Sequence, residues 1–286
     1  MFSRSPLVTP AGSGSMAEVR RRFSRADAAE RWNAMYADET ERLEDENYRL
    51  RRDLTVAHVL SIATPESQVL DLGCGAGPVI SALRRHGIAT AGLDYSEDML
   101  DNARARLRAL QLDDSGLLQG DCRHTPYPSR SFDIVVCLGV ISYIEDYDPV
   151  LDEIDRLLKP GGTALISFRS VHNPVFSDPV ALGKRALRTL LTPLLGQRPP
   201  APFEIGRFLD DREVSARMAQ RGFAYVDFFG IGFGPFRFAG RKLFSERQSI
   251  RISRWLARLA SALHIKRPLR WLTDVSLWVY WKPGGS

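Results

Sequence analysis

The stretch "VLDLGCGAGPVIS", residues 69–81, decides the fold. Its apolar run ends in three glycines, Gly73, Gly75 and Gly77, which are each separated by one residue, and Pro78 follows at once. A short apolar run that stops at glycine favours a strand, whereas a proline is tolerated in the first turn of a helix. The stretch therefore predicts a strand, a tight turn and a helix, with a turn whose backbone can approach a ligand closely.

The same alternation continues from residue 68 to residue 168. The segments "QVLDLG", "IATAGLDYS", "GLLQGD", "FDIVVCLGVISYI" and "TALISF" have the pattern of strands. The segments "PVISALRRHG", "SEDMLDNARARLRAL" and "YDPVLDEIDRLLKPGG" have the pattern of helices; Ser96 is the expected N-cap of the second, and Pro160 with two glycines is expected to stop the third. Strands that alternate with helices in this way predict an open α/β sheet of mostly parallel strands.

The rest of the chain adds to this unit. We expect residues 1–16 to be a flexible tail, residues 17–66 a helical N-terminal extension and residues 67–286 the main domain. Two insertions interrupt that domain: a lid-like segment at 169–213 and a basic helical segment at 234–270. The apolar segments "FAYVDFFGIG" and "VSLWVYW" flank the second insertion and predict an antiparallel C-terminal hairpin at the sheet.

Composition excludes several classes of protein. The chain has 286 residues, of which 44 % are hydrophobic and 26 % charged, as in ordinary globular proteins. No apolar run approaches the ~20 residues of a bilayer span, and the first residues lack a secretory signal. Three cysteines, Cys74, Cys122 and Cys137, are too few and too scattered for a disulfide framework or a zinc site. We therefore expect a cytoplasmic protein without a metal.

The glycine turn does not fit a dinucleotide. The dinucleotide fingerprint needs a third glycine where this chain has Pro78. Asp71 stands two residues before the first glycine, where its carboxylate would repel a pyrophosphate but attract an ammonium or a sulfonium. This pattern disfavours a nicotinamide-dependent oxidoreductase, which is one alternative interpretation.

The motif "DLGCGAGP" resembles the first motif of class I S-adenosylmethionine-dependent methyltransferases. The resemblance continues through "GLDYSEDML", "LLQGDCRHTPYPSRSFDIVVCLGVISYI" and "LDEIDRLLKPGGTALIS", covers residues 68–168 in the expected order, and is closest to the methyltransferase type 11 subfamily. It implies a Rossmann-like fold, S-adenosyl-L-methionine as the cofactor and, in most members, a small molecule or lipid as the acceptor.

The resemblance also implies roles for individual residues. Gly73, Gly75 and Gly77 would pass under the methionine part of the cofactor, with Asp71 near its amino group. Asp94 would accept from both ribose hydroxyls, since two carboxylate oxygens match a vicinal diol. The expected adenine contacts are Tyr95, Met99, Asp121 and the Cys122 backbone, and Leu138 and Gly139 would approach the methionine. The alternative role for Asp94 and Asp121 is to cap a helix or a turn.

The acceptor is less well defined by the sequence. The segment "LGVISYIED" after the fourth strand lacks the Asn or Asp, two prolines and aromatic of enzymes that methylate amino groups of bases, and Cys137 follows Val136 instead of a proline. We therefore expect no DNA substrate. Candidate catalytic bases are His172 and Tyr143, and His124 and Glu145 are further candidates. Trp32 and Tyr36 of the extension either cover the substrate site or form the apolar core of their own helix.

The second insertion is strongly basic. Between Arg237 and Arg270 there are ten lysines or arginines and one acid, Glu246. In "SIRISRWLARLASALHI" one helical face carries Trp255 and the aliphatic residues, and another face carries arginines. Such a helix suits contact with an anionic membrane or a lipid-like acceptor; the alternative is a helix packed on its own domain with its arginines in water.

Together these patterns predict methyl transfer from S-adenosylmethionine to a small, apolar or lipid-like molecule, at oxygen or carbon. Two alternatives remain open at the level of sequence: a non-catalytic scaffold or regulator that binds S-adenosylmethionine, and an RNA methyltransferase. The scaffold stays open because methyl transfer compels no particular catalytic side chain.

Overall fold

The fold is described from a computed structural model. The model describes residues 42–171, 206, 208–234, 236–239, 241–262 and 273–284, together with positions 180, 183 and 187.

One seven-stranded sheet organises these residues, in the order β3-β2-β1-β4-β5-β9-β6. The first five strands in the chain run parallel to one another, and β9 is antiparallel to both of its neighbours, β5 and β6. The strands of this sheet are β1 (Val69–Leu72), β2 (Thr90–Asp94), β3 (Leu117–Gln119), β4 (Phe132–Leu138), β5 (Leu158–Phe168), β6 (Ala224–Phe233) and β9 (Thr273–Trp281). The strand order reverses between β1 and β4, which is where open α/β sheets bind their ligands.

Helices connect and cover the strands. They are α1 (Leu43–Ile62), α2 (Pro78–Arg85), α3 (Glu97–Ala109), α4 (Asp148–Leu157), α5 (Asp211–Gln220) and α6 (Glu246–Ala262). A short 3₁₀ helix, Ile141–Tyr143, follows β4, and a small hairpin of β7 (Arg237–Phe238) and β8 (Arg241–Lys242) precedes α6. Of the helices in the described ranges, none is long and apolar enough to cross a bilayer.

The core lies on both faces of the sheet because neighbouring strand residues point to opposite faces. On β4, Val135 and Cys137 pack into the cluster that contains Tyr147 and the apolar face of α4. Ile134 and Val136 pack into the opposite cluster, which contains Val59 of α1. With both faces covered, the parallel strands read as continuous apolar runs instead of alternating ones.

The predicted fold class is confirmed: the sheet is Rossmann-like and mostly parallel, with an antiparallel C-terminal pair. Ser96 caps α3 as expected, because its hydroxyl oxygen accepts from the Met99 N–H at 3.4 Å. The hairpin of β6 and β9 encloses a long excursion that contains the β7–β8 hairpin and α6. Within the helical extension, α1 is described, whereas residues 17–41 lie outside the described part.

One boundary was predicted wrongly. Helix α4 ends at Leu157, and β5 begins at Leu158, so that Pro160 and its two glycines lie inside a strand instead of ending a helix. The reason is pairing with the C-terminal end of the chain: Gly161 N–H donates to Lys282 O, and Lys282 N–H donates to Gly162 O, each at 2.8 Å. Those partners lie about 120 positions away in the chain, so a local sequence pattern could not predict the pairing.

Candidate functional site

A cavity opens at the carboxyl ends of β1, β2 and β4, at the reversal in strand order. Its wall combines backbone from the turn after β1, side chains at the end of β2, and residues that follow β4. The lining residues are Arg51, Asp71, Gly73, Cys74, Gly75, Ala76, Pro78, Val79, Leu93, Asp94, Tyr95, Ser96, Met99, Gly120, Cys122, Leu138, Gly139, Val140, Tyr143 and Ile144. We call this space the cofactor cavity. Most of the residues that the sequence singled out are brought together here.

The glycines of the first turn have separate reasons to be glycine. Gly73 has φ +80°, and a Cβ there would stand 2.3 Å from Val140 Cγ2. Gly75 has φ +52°, and a Cβ there would meet no atom within 4 Å. Gly77 lies outside the cavity lining and has φ +69° at the N-cap of α2, and a Cβ there would stand 3.0 Å from Ala103 Cβ. The turn therefore needs left-handed backbone at all three positions, and only Gly73 and Gly75 border the cavity.

Asp94 connects the end of β2 to the glycine turn. Its Oδ2 accepts from Gly75 N–H at 2.7 Å, and its Oδ1 accepts from Ser96 N–H at 2.9 Å. Burial raises the pKa of Asp94, and the backbone N–H groups oppose that rise because they stabilise the carboxylate. Each oxygen of a carboxylate can accept a further hydrogen bond, so the side chain can still hold a vicinal diol at the cavity.

Asp71, at the end of β1, is 3 % exposed and lies close enough to Asp94 to feel its charge. Burial and the negative charge of Asp94 raise the pKa of Asp71 to about 7, and Arg51 opposes that rise. Two buried carboxyl groups at one cavity favour a ligand that brings positive charge. An ammonium or a sulfonium meets this requirement, and a pyrophosphate does not.

Arg51 was missed by the sequence reasoning. It lies on α1, is 6 % exposed, and reaches the cofactor cavity, where a Cβ on Gly139 would stand 2.9 Å from its Nη1. A guanidinium beside Asp71 can also bind a carboxylate of the ligand. The available signal was weak, since one arginine among the many charges of residues 42–53 does not stand out.

The expected adenine contacts are only partly brought together. Tyr95, Met99 and Cys122 line the cofactor cavity, whereas Asp121 does not. The Asp121 carboxylate is bound by the Arg123 guanidinium, with Arg123 Nη2 2.6 Å from Oδ2 and Nε 3.0 Å from Oδ1. These contacts hold the pKa of Asp121 below its ordinary value despite partial burial. The contact between Asp121 and adenine stays a prediction.

A mostly apolar wall of the cofactor cavity lies beyond Gly139. This wall consists of Leu138, Val140, Tyr143 and Ile144. Among these four side chains, the phenol of Tyr143 supplies the polar group. The Tyr143 ring also lies against Gly206, where a Cβ would come within 3.4 Å of Tyr143 Cε1. The catalytic role of Tyr143 stays a prediction, and His172, Trp32 and Tyr36 lie outside the described residues.

The cysteines do not form a nucleophilic site. Cys74, Cys122 and Cys137 are buried, and burial raises the pKa of each thiol. Cys137 lies within β4 and is fully buried, as the sequence predicts. A thiol with a raised pKa holds its proton and is a poor nucleophile at neutral pH. This agrees with the expectation that the protein is no cytosine C5 enzyme.

Comparison with known proteins identifies the kind of enzyme to which this chain is similar. Residues 70–166 match a family model that is described as a methyltransferase domain. The chain is an S-adenosylmethionine-dependent methyltransferase. The matched segment begins in β1 and ends in β5, so it contains the glycine turn, Asp94 and most of the other lining residues of the cofactor cavity.

Curated relatives of this methyltransferase act on small molecules. It is 27 % identical to demethylmenaquinone methyltransferase of Tropheryma whipplei over 223 residues, which are 76 % of this chain and 88 % of the relative. It is 25 % identical to ubiquinone biosynthesis O-methyltransferase of Coxiella burnetii over 169 residues, which are 59 % of this chain and 68 % of the relative. These similarities support a small-molecule acceptor.

A solved structure supports the fold of the methyltransferase. The model is similar to magnesium protoporphyrin IX methyltransferase from Synechocystis PCC 6803 with bound SAH, with a TM-score of 0.61 and 16 % sequence identity. The similarity covers 94 % of this chain and 99 % of that structure. At this identity the comparison shows the fold alone. The cofactor of this chain is S-adenosylmethionine.

Proposed function

We propose that this methyltransferase transfers the methyl group of S-adenosylmethionine to a small, apolar, lipid-like acceptor, at oxygen or at carbon. The observation that carries the proposal is the contrast within the cofactor cavity. One end presents Asp71, Asp94 and Arg51 around the glycine turn, and the other end presents Leu138, Val140 and Ile144 around one phenol. The charged end suits the cofactor, and the apolar end suits the acceptor.

In this proposal each residue of the charged end binds one part of the cofactor. Asp71 accepts from the ammonium, Arg51 donates to the carboxylate, and Asp94 accepts from the two ribose hydroxyls. Tyr95 and Met99 pack against the adenine. The residues fit the cofactor, because Gly75 leaves open space where a Cβ would stand and the two buried acids require positive charge.

The chemistry needs positioning more than a catalytic group. The sulfonium of the cofactor supplies an activated methyl group with a neutral leaving group. The protein excludes water with the apolar wall and aligns the acceptor atom with the methyl group, so that displacement proceeds in line. We propose that the Tyr143 phenol orients the hydroxyl group of an acceptor through a hydrogen bond, since it lies on the apolar wall opposite the charged end.

The relatives' names indicate which acceptors to test first. Both names belong to quinone chemistry, and that of the ubiquinone enzyme specifies transfer to oxygen. We therefore propose a quinol-like ring or another hydroxylated apolar molecule. Formation of S-adenosylhomocysteine with short-chain quinols, measured by mass spectrometry, tests this proposal. A duplex DNA and a structured RNA serve as the control acceptors.

The outcomes separate the alternatives. We expect turnover with at least one apolar hydroxylated acceptor and none with nucleic acid, and we expect Tyr143→Phe to lower kcat more than it raises KM. A protein that binds S-adenosylhomocysteine tightly but turns over none of the apolar acceptors would support the scaffold alternative. Methylation of the RNA alone would overturn the proposed substrate class.

We also propose that this methyltransferase contacts an anionic membrane through α6 and the preceding hairpin. Both elements carry exposed apolar and basic side chains. We call them the α6 surface; they are Phe238, Arg241, Leu243, Phe244, Arg251, Trp255, Arg258 and Leu259. Trp255 is 60 % exposed, and Leu243 is 57 % exposed. Exposed aromatic and aliphatic groups beside arginines suit the interface of an anionic membrane.

Sedimentation with phosphatidylglycerol-containing vesicles tests this contact. We expect binding at low salt and weaker binding at high salt, because counterions screen the arginines. We expect Trp255→Ala to weaken vesicle binding about fivefold, because part of one aromatic ring no longer leaves water. Trp281→Ala is the matched control, because Trp281 is also exposed but lies at the end of β9. Equal losses in both variants, or no binding at low salt, would contradict the proposal.

A further inference from the structure

A second cavity lies away from the cofactor cavity, in the corner between α1, β6 and α6. Its volume is about 440 Å³, within the usual range for ligand sites. No residue lines both spaces. Helix α1 separates them, because Arg51 faces the cofactor cavity whereas Leu50 and Leu54 face the second cavity.

The wall of the second cavity is mostly apolar. Gly230 and Gly232 of β6 border it with their backbone, and Thr273 and Asn47 fill the positions where their Cβ atoms would stand. The apolar lining comes from all three elements: Leu50, Leu54, Phe229, Ile231, Phe233 and Ala257. Such a lining suits a hydrocarbon chain, because burial of each methylene from water is favourable.

The rim of the second cavity is positively charged. Glu46 is 1 % exposed, and its carboxylate lies between Arg49 Nη2 at 2.6 Å and Arg254 Nε at 2.7 Å. One carboxylate thus meets two guanidiniums, and Arg258 brings a further exposed guanidinium to the same cavity. The rim keeps an excess of positive charge, and guanidinium groups bind phosphate or carboxylate oxygens with paired hydrogen bonds.

We propose that the second cavity binds an anionic amphiphile, with its hydrocarbon chain along α1 and β6 and its phosphate or carboxylate head group at Arg258 and Arg254. The site differs from the acceptor side of the cofactor cavity, so it does not depend on the proposed acceptor. The α6 surface borders its rim through Arg258, so that a membrane lipid and a free amphiphile are both possible sources of the head group.

Calorimetry with dodecyl phosphate below its micelle concentration tests the site, with inorganic phosphate and dodecanol as comparison probes. We expect dodecyl phosphate to bind and each comparison probe to bind at least about tenfold more weakly, since each lacks one of the two kinds of contact. Equal binding of inorganic phosphate would show a free-anion site and overturn the amphiphile. Binding only to anionic vesicles, with no binding of the free amphiphile, would assign the arginines to the membrane contact instead.

Two variants locate the binding. Arg258→Gln removes a rim charge, and Arg251→Gln removes another exposed arginine of α6, one that does not line the cavity. We expect about tenfold weaker binding for Arg258→Gln and nearly unchanged binding for Arg251→Gln. Ala257→Trp fills the space from an exposed position and should weaken binding at least as much.

The affinity for S-adenosylhomocysteine shows that each variant is folded, and it should stay at the wild-type value in all three. Equal losses in Arg258→Gln and Arg251→Gln would indicate diffuse attraction to α6 and contradict the site. Unchanged binding in Ala257→Trp would show that the hydrocarbon chain does not enter the cavity.

Discussion

The cofactor cavity and the corner of α1, β6 and α6 are built from different kinds of contact. In the cofactor cavity, Asp94 binds Gly75 and Ser96, which lie 19 and 2 positions away in the chain. In the corner, Glu46 pairs with Arg254, 208 positions away, and Asn47 donates to Asp274, 227 positions away. The first region is built from the turns that follow neighbouring strands. The second region is built from residues near the two ends of the described chain.

This difference in construction matches two different functions of the two regions. A turn built from neighbouring segments does not depend on the insertions, which suits the binding of the cofactor. A corner joined by distant residues can change with its insertions, which suits the part of an enzyme that meets its own acceptor or lipid. We therefore expect substitutions in the first region to change cofactor affinity and substitutions in the second to leave it unchanged.

The largest expected effect is in the cofactor cavity, for Asp94→Asn. The amide keeps the size of the side chain but loses the charge and one acceptor, so it cannot accept from Gly75, Ser96 and a ribose diol together. We expect S-adenosylhomocysteine to bind about 100-fold more weakly, which corresponds to about 2.7 kcal/mol. Isothermal titration calorimetry measures this change.

Asp101→Asn is the matched control for that substitution. Asp101 is an exposed acid of α3 that pairs with Arg104 and does not line the cavity. Its affinity for S-adenosylhomocysteine should equal that of the wild type. If Asp94→Asn bound the cofactor as tightly as this control, the assigned ribose contact would be wrong.

The contrast explains how much the sequence could predict. The strands, the glycine turn and the position of Asp94 follow from apolar runs, glycine stops and short spacings, all of which are local. Arg51 could not be found in this way, because its place at the cavity depends on how α1 packs across the sheet. The start of β5 was misplaced for the same reason, since its pairing with Lys282 is not local.

The second cavity was not predicted at all. The sequence shows the basic, amphipathic character of α6, but it does not show that Glu46 lies between Arg49 and Arg254. It also does not distinguish the arginines of α6 from one another, although Arg254 and Arg258 line the cavity and Arg251 does not. Which face of a surface helix meets which strand is decided by tertiary packing, and local patterns carry no information about it.

An effect of similar size, on stability instead of cofactor affinity, concerns the backbone of the glycine turn. Gly73 and Gly87 both have left-handed backbone, with φ +80° and +77°, but only Gly73 has a neighbour that a methyl group would strike. We expect Gly87→Ala to lower the free energy of unfolding by about 1 kcal/mol from strain alone. Gly73→Ala should cost about 2 kcal/mol more, because Val140 must move. Urea denaturation measures both, and equal costs would show that Val140 yields freely.

A smaller effect is expected in the corner, for Glu46→Gln. The substitution removes the charge that Arg49 and Arg254 share, and Arg254 is half-exposed, so water compensates part of the loss. We expect the free energy of unfolding to fall by about 1.5 kcal/mol and the affinity for S-adenosylhomocysteine to stay unchanged. Glu44→Gln is the control, since Glu44 is a well-exposed acid of the same helix. A lower cofactor affinity in Glu46→Gln would contradict the separation of the two regions.

The smallest expected effect is a pH dependence of the affinity for S-adenosylhomocysteine, which we expect from the cofactor cavity and not from the corner. The pKa of Asp71 is raised to about 7 by burial and by Asp94, so the carboxyl group is mostly protonated below that pH in the free protein. The ammonium of the cofactor binds the ionised form. The affinity for S-adenosylhomocysteine should therefore rise by about tenfold between about pH 6 and about pH 8, and then level off. Calorimetry across this range measures the rise.

The raised pKa of Asp71 also predicts a pH dependence of stability, in the direction opposite to that of the affinity. An unfolded Asp titrates near pH 3.9, so the folded protein holds a proton that the unfolded chain has lost between about pH 4 and about pH 7. The free energy of unfolding should consequently fall as the pH rises through this window. Asp71→Asn should make the affinity lower but flat with pH. Its stability should lose the part of the slope that Asp71 contributes and keep the part due to Asp94, whose pKa is also raised by burial. An affinity of Asp71→Asn that still rose through pH 7 would assign the titration to another group and leave Asp71 without its role at the ammonium.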